Sequence, residues 1–463
     1  MRTPHRLAAG LGALALVLSL AGVATADRWV PGAPTAAPQA PKVTAVPSSV
    51  TLACPGGIAD PYTLGASSAT ASAWTSTGPA TGGTAPTTLT STAKDGHLDV
   101  PSGVVVAGQG GGELRGLSLT ACTAPSGDQW VAAGSTEVGE DLILVLSNPS
   151  SVPSVVTVSE IGATGPSSTG AQSVTVPAGA VTAVMPAGWF PDESRPALHI
   201  VADGPGVSAW LQTSGLSGEV PTGATWVPTM RAATHLVIPG VSAGTSATLR
   251  IAVPGSTGAH VKVSVADENG TTALPGGELD VDATTTLDLD LSGIPAASTL
   301  VVDADVPVLA QATMREDGQG YASTGAKWAS RGVATPSLAV TTVDLPARDT
   351  LLGLVDTQLG ASPLRNTAQK TSSGTGALTA TLVLADAGGA GASVDLGGTT
   401  VKVRAGGSVR TDLPSTATTL TASSAIHAAV VVTAQTPTGP VTGVWPLGSS
   451  GLAPLDAHVD VRP

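Results

Sequence analysis

The chain has 463 residues, room for three or four domains of about 100 residues each, and a formal net charge of −13 with only 11% charged residues. That acidity repels nucleic acid and anionic membrane surfaces, so no nucleic-acid partner is expected. Hydrophobic residues at 42% exclude a wholly disordered chain, and one Phe and two Tyr against eight Trp leave the cores to Val, Leu, Ile and Ala, with Trp as the large filler.

Taken in order, Arg2 and Arg6 precede an apolar run from Leu7 to Val23, and Ala24-Thr25-Ala26 fits a small-x-small cleavage site. Residues 1–26 read as a signal peptide or, because the run approaches the ~20 residues that span a bilayer, as a signal anchor. Either reading puts the bulk of the chain outside the cytoplasm. Residues 27–49 carry Pro31, Pro34, Pro38, Pro41 and Pro47 and read as an extended linker. An N-terminal β domain follows over residues 50–130. Cys54 ends the run Val50-Thr51-Leu52-Ala53, and Cys122 ends Leu117-Ser118-Leu119-Thr120-Ala121. In an exported chain these two cysteines are expected to form a disulfide, worth ~4 kcal/mol in the chain-entropy model. The bond compensates for a Ser/Thr/Ala/Gly-rich stretch, Gly65 to Asp95, that offers little core. Two cysteines without a neighbouring histidine make a metal site improbable.

From here the sequence repeats. Trp130, Trp226, Trp328 and Trp445 each follow an alternating apolar run and a Gly/Pro/Ser-rich turn, at intervals of about 100 residues. Three units are expected, over residues 131–226, 227–328 and 329–463. The first contains Leu142–Leu146, Val155–Val158, Ser173–Val176 and Val181–Val184, then Leu198–Val201 paired with Val207–Leu211 across Asp203-Gly204-Pro205-Gly206. The second contains Ala247–Val253, a Val261–Val265 hairpin at Asn269-Gly270, Leu279–Asp282 paired with Leu287–Leu291, and Leu300–Asp303 turning at Ala304-Asp305 into Val306–Ala310. The third keeps the plan approximately and carries an extra polar segment near Gln358 to Gly376. The runs alternate at period two, and no segment shows helical periodicity over a dozen residues. The fold class is therefore all-β: tandem immunoglobulin-like β-sandwich repeats, with a β-propeller as the alternative, although about 100 residues per unit is long for a four-stranded blade.

Little in the chain suggests catalysis, and no catalytic residue or cofactor is assigned. Gly240-Val241-Ser242-Ala243-Gly244 matches a nucleophile-elbow pattern but is followed by another strand instead of the required helix. The seven histidines show no metal-ligand spacing. Asp280, Asp282, Asp288 and Asp290 form the best acidic cluster; the first reading is a solvated edge that discourages aggregation, and the alternative is a calcium site shared by two paired strands. Trp189 and Phe190, in the loop Pro186 to Pro191, are the candidate binding residues: exposed aromatics stack on sugar rings, whereas buried ones plug a sandwich end. Leu413-Pro414-Ser415-Thr416-Ala417 resembles a sortase signal but lacks the apolar span and basic tail, and Asn269-Gly270-Thr271 is a sequon explained by its hairpin.

The signal segment, Cys54-Pro55-Gly56 with Cys122, Leu146-Ser147-Asn148-Pro149, Val176-Pro177-Ala178-Gly179 and Asp203-Gly204-Pro205 together resemble a family of uncharacterised secreted or membrane-anchored actinobacterial proteins, a domain of unknown function. The resemblance implies a cell-envelope protein, often encoded near a large membrane glycosyltransferase, and brings no catalytic residues. The expected function is a non-enzymatic envelope scaffold with a protein partner, or alternatively an envelope glycan-binding protein using exposed Trp.

Overall fold

The computed structural model describes residues 49–448 except 60–69, 79–82, 84, 94–99, 113, 219, 320–326, 361–376 and 387–388. The signal segment, the Pro-rich linker up to residue 48 and most of the polar segment after Gln358 lie outside the described residues.

One pairing scheme occurs four times. Repeat 1 holds β1 (Ser49–Cys54), β2 (Ala71–Thr75), β3 (Thr87–Thr92), β4 (Gly103–Gln109) and β5 (Gly116–Ala121). Repeat 2 holds β6 (Asp128–Val131), β7 (Glu140–Ser147), β8 (Ser154–Gly162), β9 (Gly165–Pro166), β10 (Gln172–Val176), β11 (Val181–Val184), β12 (Ala197–Ala202), β13 (Ser208–Ser217) and β14 (Val220–Pro228). Repeat 3 holds β15 (Ala233–Val241), β16 (Ser246–Ala252), β17 (Ala259–Asp267), β18 (Gly270–Val281), β19 (Thr286–Asp290), β20 (Ser298–Asp317) and β21 (Ala329–Ala334). Repeat 4 holds β22 (Val340–Leu345), the helix α1 (Arg348–Gly360), β23 (Leu378–Asp386), β24 (Ala392–Leu396), β25 (Thr400–Val403), β26 (Ser408–Asp412), β27 (Thr418–Thr436) and β28 (Gly439–Pro446).

In repeat 2 one sheet runs β10-β8-β12-β6 and the other β11-β7-β13-β14. Leu144, Leu146, Val158, Ile200 and Leu211 fill the space between them, as alternating apolar strands require. Repeat 3 keeps this order as β18-β17-β20-β15 and β19-β16-β20-β21, and repeat 4 as β25-β24-β27-β22 and β26-β23-β27-β28. In both, one long strand runs through two sheets. Repeat 1 shows β1-β3 and β2-β4-β5, the same scheme without counterparts of β8, β10 and β11 among the described residues.

The all-β reading holds, but several local expectations do not. Leu198–Val201 and Val207–Leu211 do not pair: β12 and β13 lie in opposite sheets, because the Asp203–Gly206 turn crosses between layers. The turn expected at Ala304-Asp305 is absent, and β20 continues through it. Leu279–Asp282 and Leu287–Leu291 also separate, β18 pairing with β17 and β19 with β16. The Asn269-Gly270 hairpin is present, with Asp267 opposite Gly270. α1 is a helix where none was expected. Its buried Leu351, Val355 and Leu359 recur every four residues, one helical face.

The repeats close into a ring. The last strand of each, β5, β14, β21 and β28, packs against the last strand of the next, and β28 returns to β5. A glycine makes each approach possible. A Cβ on Gly116 would strike the carbonyl oxygen of Ala224; one on Gly223 would lie 2.7 Å from the Ser330 Cα; one on Gly332, 2.7 Å from the Thr442 oxygen; one on Gly443, 3.0 Å from the Leu117 oxygen. Each glycine of one repeat thus admits the backbone of the following repeat, and the last admits the first.

Ring closure supplies repeat 1 with core partners that its own described strands do not provide. Val104, Val106, Leu117 and Leu119 share a core with Leu382, Val430 and Trp445 of repeat 4. Leu52, Val105 and Ala107 share another with Ile143, Val145, Trp210 and Trp226 of repeat 2. Cys54 and Cys122 form the expected disulfide, which ties the end of β1 to the residue after β5. Ala53 and Thr123 exchange two backbone hydrogen bonds of 2.8 Å beside it.

Candidate functional site

The sequence-selected residues disperse. Ser242 is buried in a turn between two strands, and its hydroxyl accepts a hydrogen bond from the Ala297 amide at 2.9 Å, a structural role. Phe190 is fully buried in the repeat 2 core, which corrects its reading as a surface contact; Trp189 is half-buried and meets it edge-on. The four aspartates do not converge. Asp288 pairs with Arg250 at 2.8 Å, Asp280 with His260 at 2.9 Å, and Asp290 accepts from Ser292, because β18 and β19 belong to different sheets. Among the described residues no group of three or more His, Cys, Asp or Glu is placed to hold a metal ion. Added millimolar calcium is therefore expected to leave the thermal midpoint unchanged; a rise would show that these carboxylates gather in solution.

The aromatic residues that mark the repeat are mostly structural. Trp226, Trp328 and Trp445 are buried, and the Trp226 indole donates to the Gly56 carbonyl at 3.2 Å. Trp130 is partly buried and stacks on His199 with ring centroids 4.0 Å apart.

Arginines bind the repeats together, which the sequence did not disclose. Arg115 is fully buried and reaches into repeats 3 and 4: Nε donates to Thr438 Oγ1 at 2.9 Å, Nη1 to the Glu316 carbonyl at 3.1 Å and Nη2 to the Pro440 carbonyl at 2.7 Å. Burial pushes it down to about 10, against the raising effect of Glu316 and Asp317, so it stays charged at neutral pH. Arg331 of repeat 3 grips Glu140 of repeat 2 with two bonds of 2.6 and 2.5 Å, a planar fork matched to a carboxylate, and also donates to Thr222. Arg250 of repeat 3 donates to the Gly134 carbonyl of repeat 2 at 2.6 Å, and Arg410 of repeat 4 to the Ala296 carbonyl of repeat 3 at 2.6 Å.

Glu160 and His427 are shifted most by burial among the carboxylates and histidines described. Glu160 points into repeat 2 with Oε1 lacking a hydrogen-bond partner among the described residues; burial, then Glu193, push it up to about 8. His427, beneath Ser337, is pushed down to about 4 by burial. The folded chain thus holds an extra proton on Glu160 from the ordinary carboxylate range to pH 8, and stability falls with rising pH there by about 1.4 kcal/mol per unit. His427 acts oppositely. The folded chain lacks its proton between pH 4 and the ordinary histidine value of 6.5, so stability rises with pH in that window. His427 opposes Glu160 up to 6.5 and no longer does so above it, where His260, raised chiefly by its hydrogen bond to Asp280, adds to the fall. Urea unfolding is expected to lose about 2 kcal/mol between pH 6.5 and 8, and Glu160→Gln to flatten that loss.

Surface depressions lie where repeats meet among the described residues. One, of about 830 Å³, lies between repeats 1 and 4 and is lined by Ser102, Leu338, Val340, Asp344 and Trp445 among others. Another, of about 580 Å³, lies between repeats 3 and 4 and is lined by His235, Lys262, Ser264, Thr271, Asp303 and the Gly406–Gly407 turn.

The model of a family of unknown function, DUF5719, matches residues 75–386. The chain belongs to this family. The match starts in β2 and ends with β23, so it spans most of the ring. No curated protein and no solved structure matches the chain. The DUF5719 match carries no activity with it, and no helix among the described residues is long and apolar enough to cross a membrane.

Proposed function

We propose that this DUF5719 protein is a non-enzymatic, extracytoplasmic scaffold of the cell envelope that presents the rim of its ring to a membrane protein partner, accessory to a membrane glycosyltransferase. The observation that carries the reading is the ring itself. Four repeats are held as one body by close-approach glycines, and the buried or paired Arg115, Arg331 and Arg250 are spent on holding repeats to one another. A rigid body of this kind suits positioning, because interface surfaces need little ordering on binding. The disulfide and the N-terminal apolar segment support an extracytoplasmic placement.

Affinity purification of the tagged full-length protein from native envelopes, with mass spectrometry of the eluate, tests it. One membrane protein in near-stoichiometric amount is the expected outcome. Recovery of glycan without protein would replace the scaffold with a carbohydrate-binding function.

A further inference from the structure

We propose that the cleft between repeats 3 and 4 binds a neutral polyhydroxylated ligand of one or two sugar units, held between Lys262 and Asp303. This site is separate from the partner surface proposed above. Its floor is the outer face of the β18-β17-β20-β15 sheet. There Asp303 of β20 lies in register with Lys262 of β17 on one side and His235 of β15 on the other. His235 Nδ1 holds Asp303 Oδ1 at 2.7 Å, which fixes the carboxylate while its side chain stays 55% exposed. Lys262 is exposed and makes no ion pair among the described residues, although an aspartate lies directly across the ladder. A donor and an acceptor therefore stand side by side and open.

Repeat 4 forms the wall. It covers the other half of the same sheet, burying Ser264 and Ala266, and Thr299 Oγ1 meets Ser408 Oγ at 2.7 Å. The Gly406–Gly407 turn forms that wall, and its lack of side chains leaves it flat. Asp386 is committed to this wall, accepting from the Gly391 and Gly406 amides at 3.2 and 2.9 Å.

These features select a ligand class. Each hydroxyl of a sugar both donates and accepts, so a vicinal diol satisfies an ammonium and a carboxylate together. Glu278, Asp280 and Asp305 on the same face oppose a polyanion. The charges are not demanded by the repeat. Four residues from the matching β8–β12 and β17–β20 pairs, Ile161↔Ala197 and Ala266↔Thr299, repeat 2 has Thr157 and Val201 where repeat 3 has Lys262 and Asp303.

Saturation-transfer NMR of the full chain, with neutral hexose and pentose disaccharides and their uronic-acid counterparts as probes, decides the matter. At least one neutral disaccharide is expected to bind in the millimolar range, and both Lys262→Ala and Asp303→Asn to weaken it by about tenfold, while Asp412→Asn leaves it unchanged. Matching circular-dichroism spectra and melting midpoints would show that the variants fold. No transfer from any neutral probe, or equal binding by both cleft variants and the parent, would overturn the proposal. So would binding of uronic acids alone that is lost in Lys262→Ala and kept in Asp303→Asn, which describes an anion site.

Discussion

Gly443→Val is expected to cost about 4 kcal/mol or more of unfolding free energy, while Gly255→Val stays within about 0.5 kcal/mol of the parent. Neither glycine has a positive φ, so the contrast isolates packing from backbone strain. A Cβ on Gly255 meets nothing within 4 Å. One on Gly443 overlaps the Leu119 side chain and crowds the Leu117 carbonyl, where the fourth repeat closes on the first. Leu119 can rotate, but the Leu117 backbone belongs to β5 and cannot move without disturbing a core shared by repeats 1 and 4. Denaturant unfolding of the two variants measures the difference. Equal midpoints would mean that the ring is not closed tightly at this junction.

Arg115→Met comes second, with an expected loss of about 3–5 kcal/mol. Methionine fills much of the volume but takes the guanidinium from the Thr438 hydroxyl and from the Glu316 and Pro440 carbonyls, which are left to share the Ser330 hydroxyl at 3.4 Å. Thr438 still donates to the Gly110 carbonyl at 2.6 Å, so that contact between repeats 4 and 1 remains but unsupported. Arg115→Lys should fall between the parent and Arg115→Met, because one ammonium cannot span three acceptors that a planar guanidinium reaches at once. A lysine variant as stable as the parent would show that charge alone, without the fork, holds the junction.

Both predictions rest on contacts between repeats, and there the sequence was least readable. Strand positions were legible because period-two alternation and Gly/Pro turns act locally: Leu142–Leu146, Val155–Val158 and Val261–Val265 lie within β7, β8 and β17. The Cys54–Cys122 bond was legible because a chain with two cysteines has one pairing to make. Which strands pair was not. Asp203–Gly206 is as good a turn for a hairpin as for a crossing between sheets, and only the burial of β12 and β13 in opposite layers settles it. The four-residue spacing of Leu351, Val355 and Leu359 was a usable helix signal in a chain that otherwise alternates.

The candidate site divides the same way. Phe190 was noticed for its type, but a sequence does not state which side of a loop faces the core. Lys262, Asp303 and His235 went unremarked as a group because they lie on three strands far apart in sequence and meet only across ladders. By itself the sequence determined an acidic, all-β chain with a repeating unit and a disulfide, since charge, apolar periodicity and cysteine count act through local or additive physics. The tertiary structure alone decided that the units close into a ring. Among 57 glycines nothing local distinguishes Gly116, Gly223, Gly332 and Gly443 until another repeat's backbone arrives where a side chain would have been.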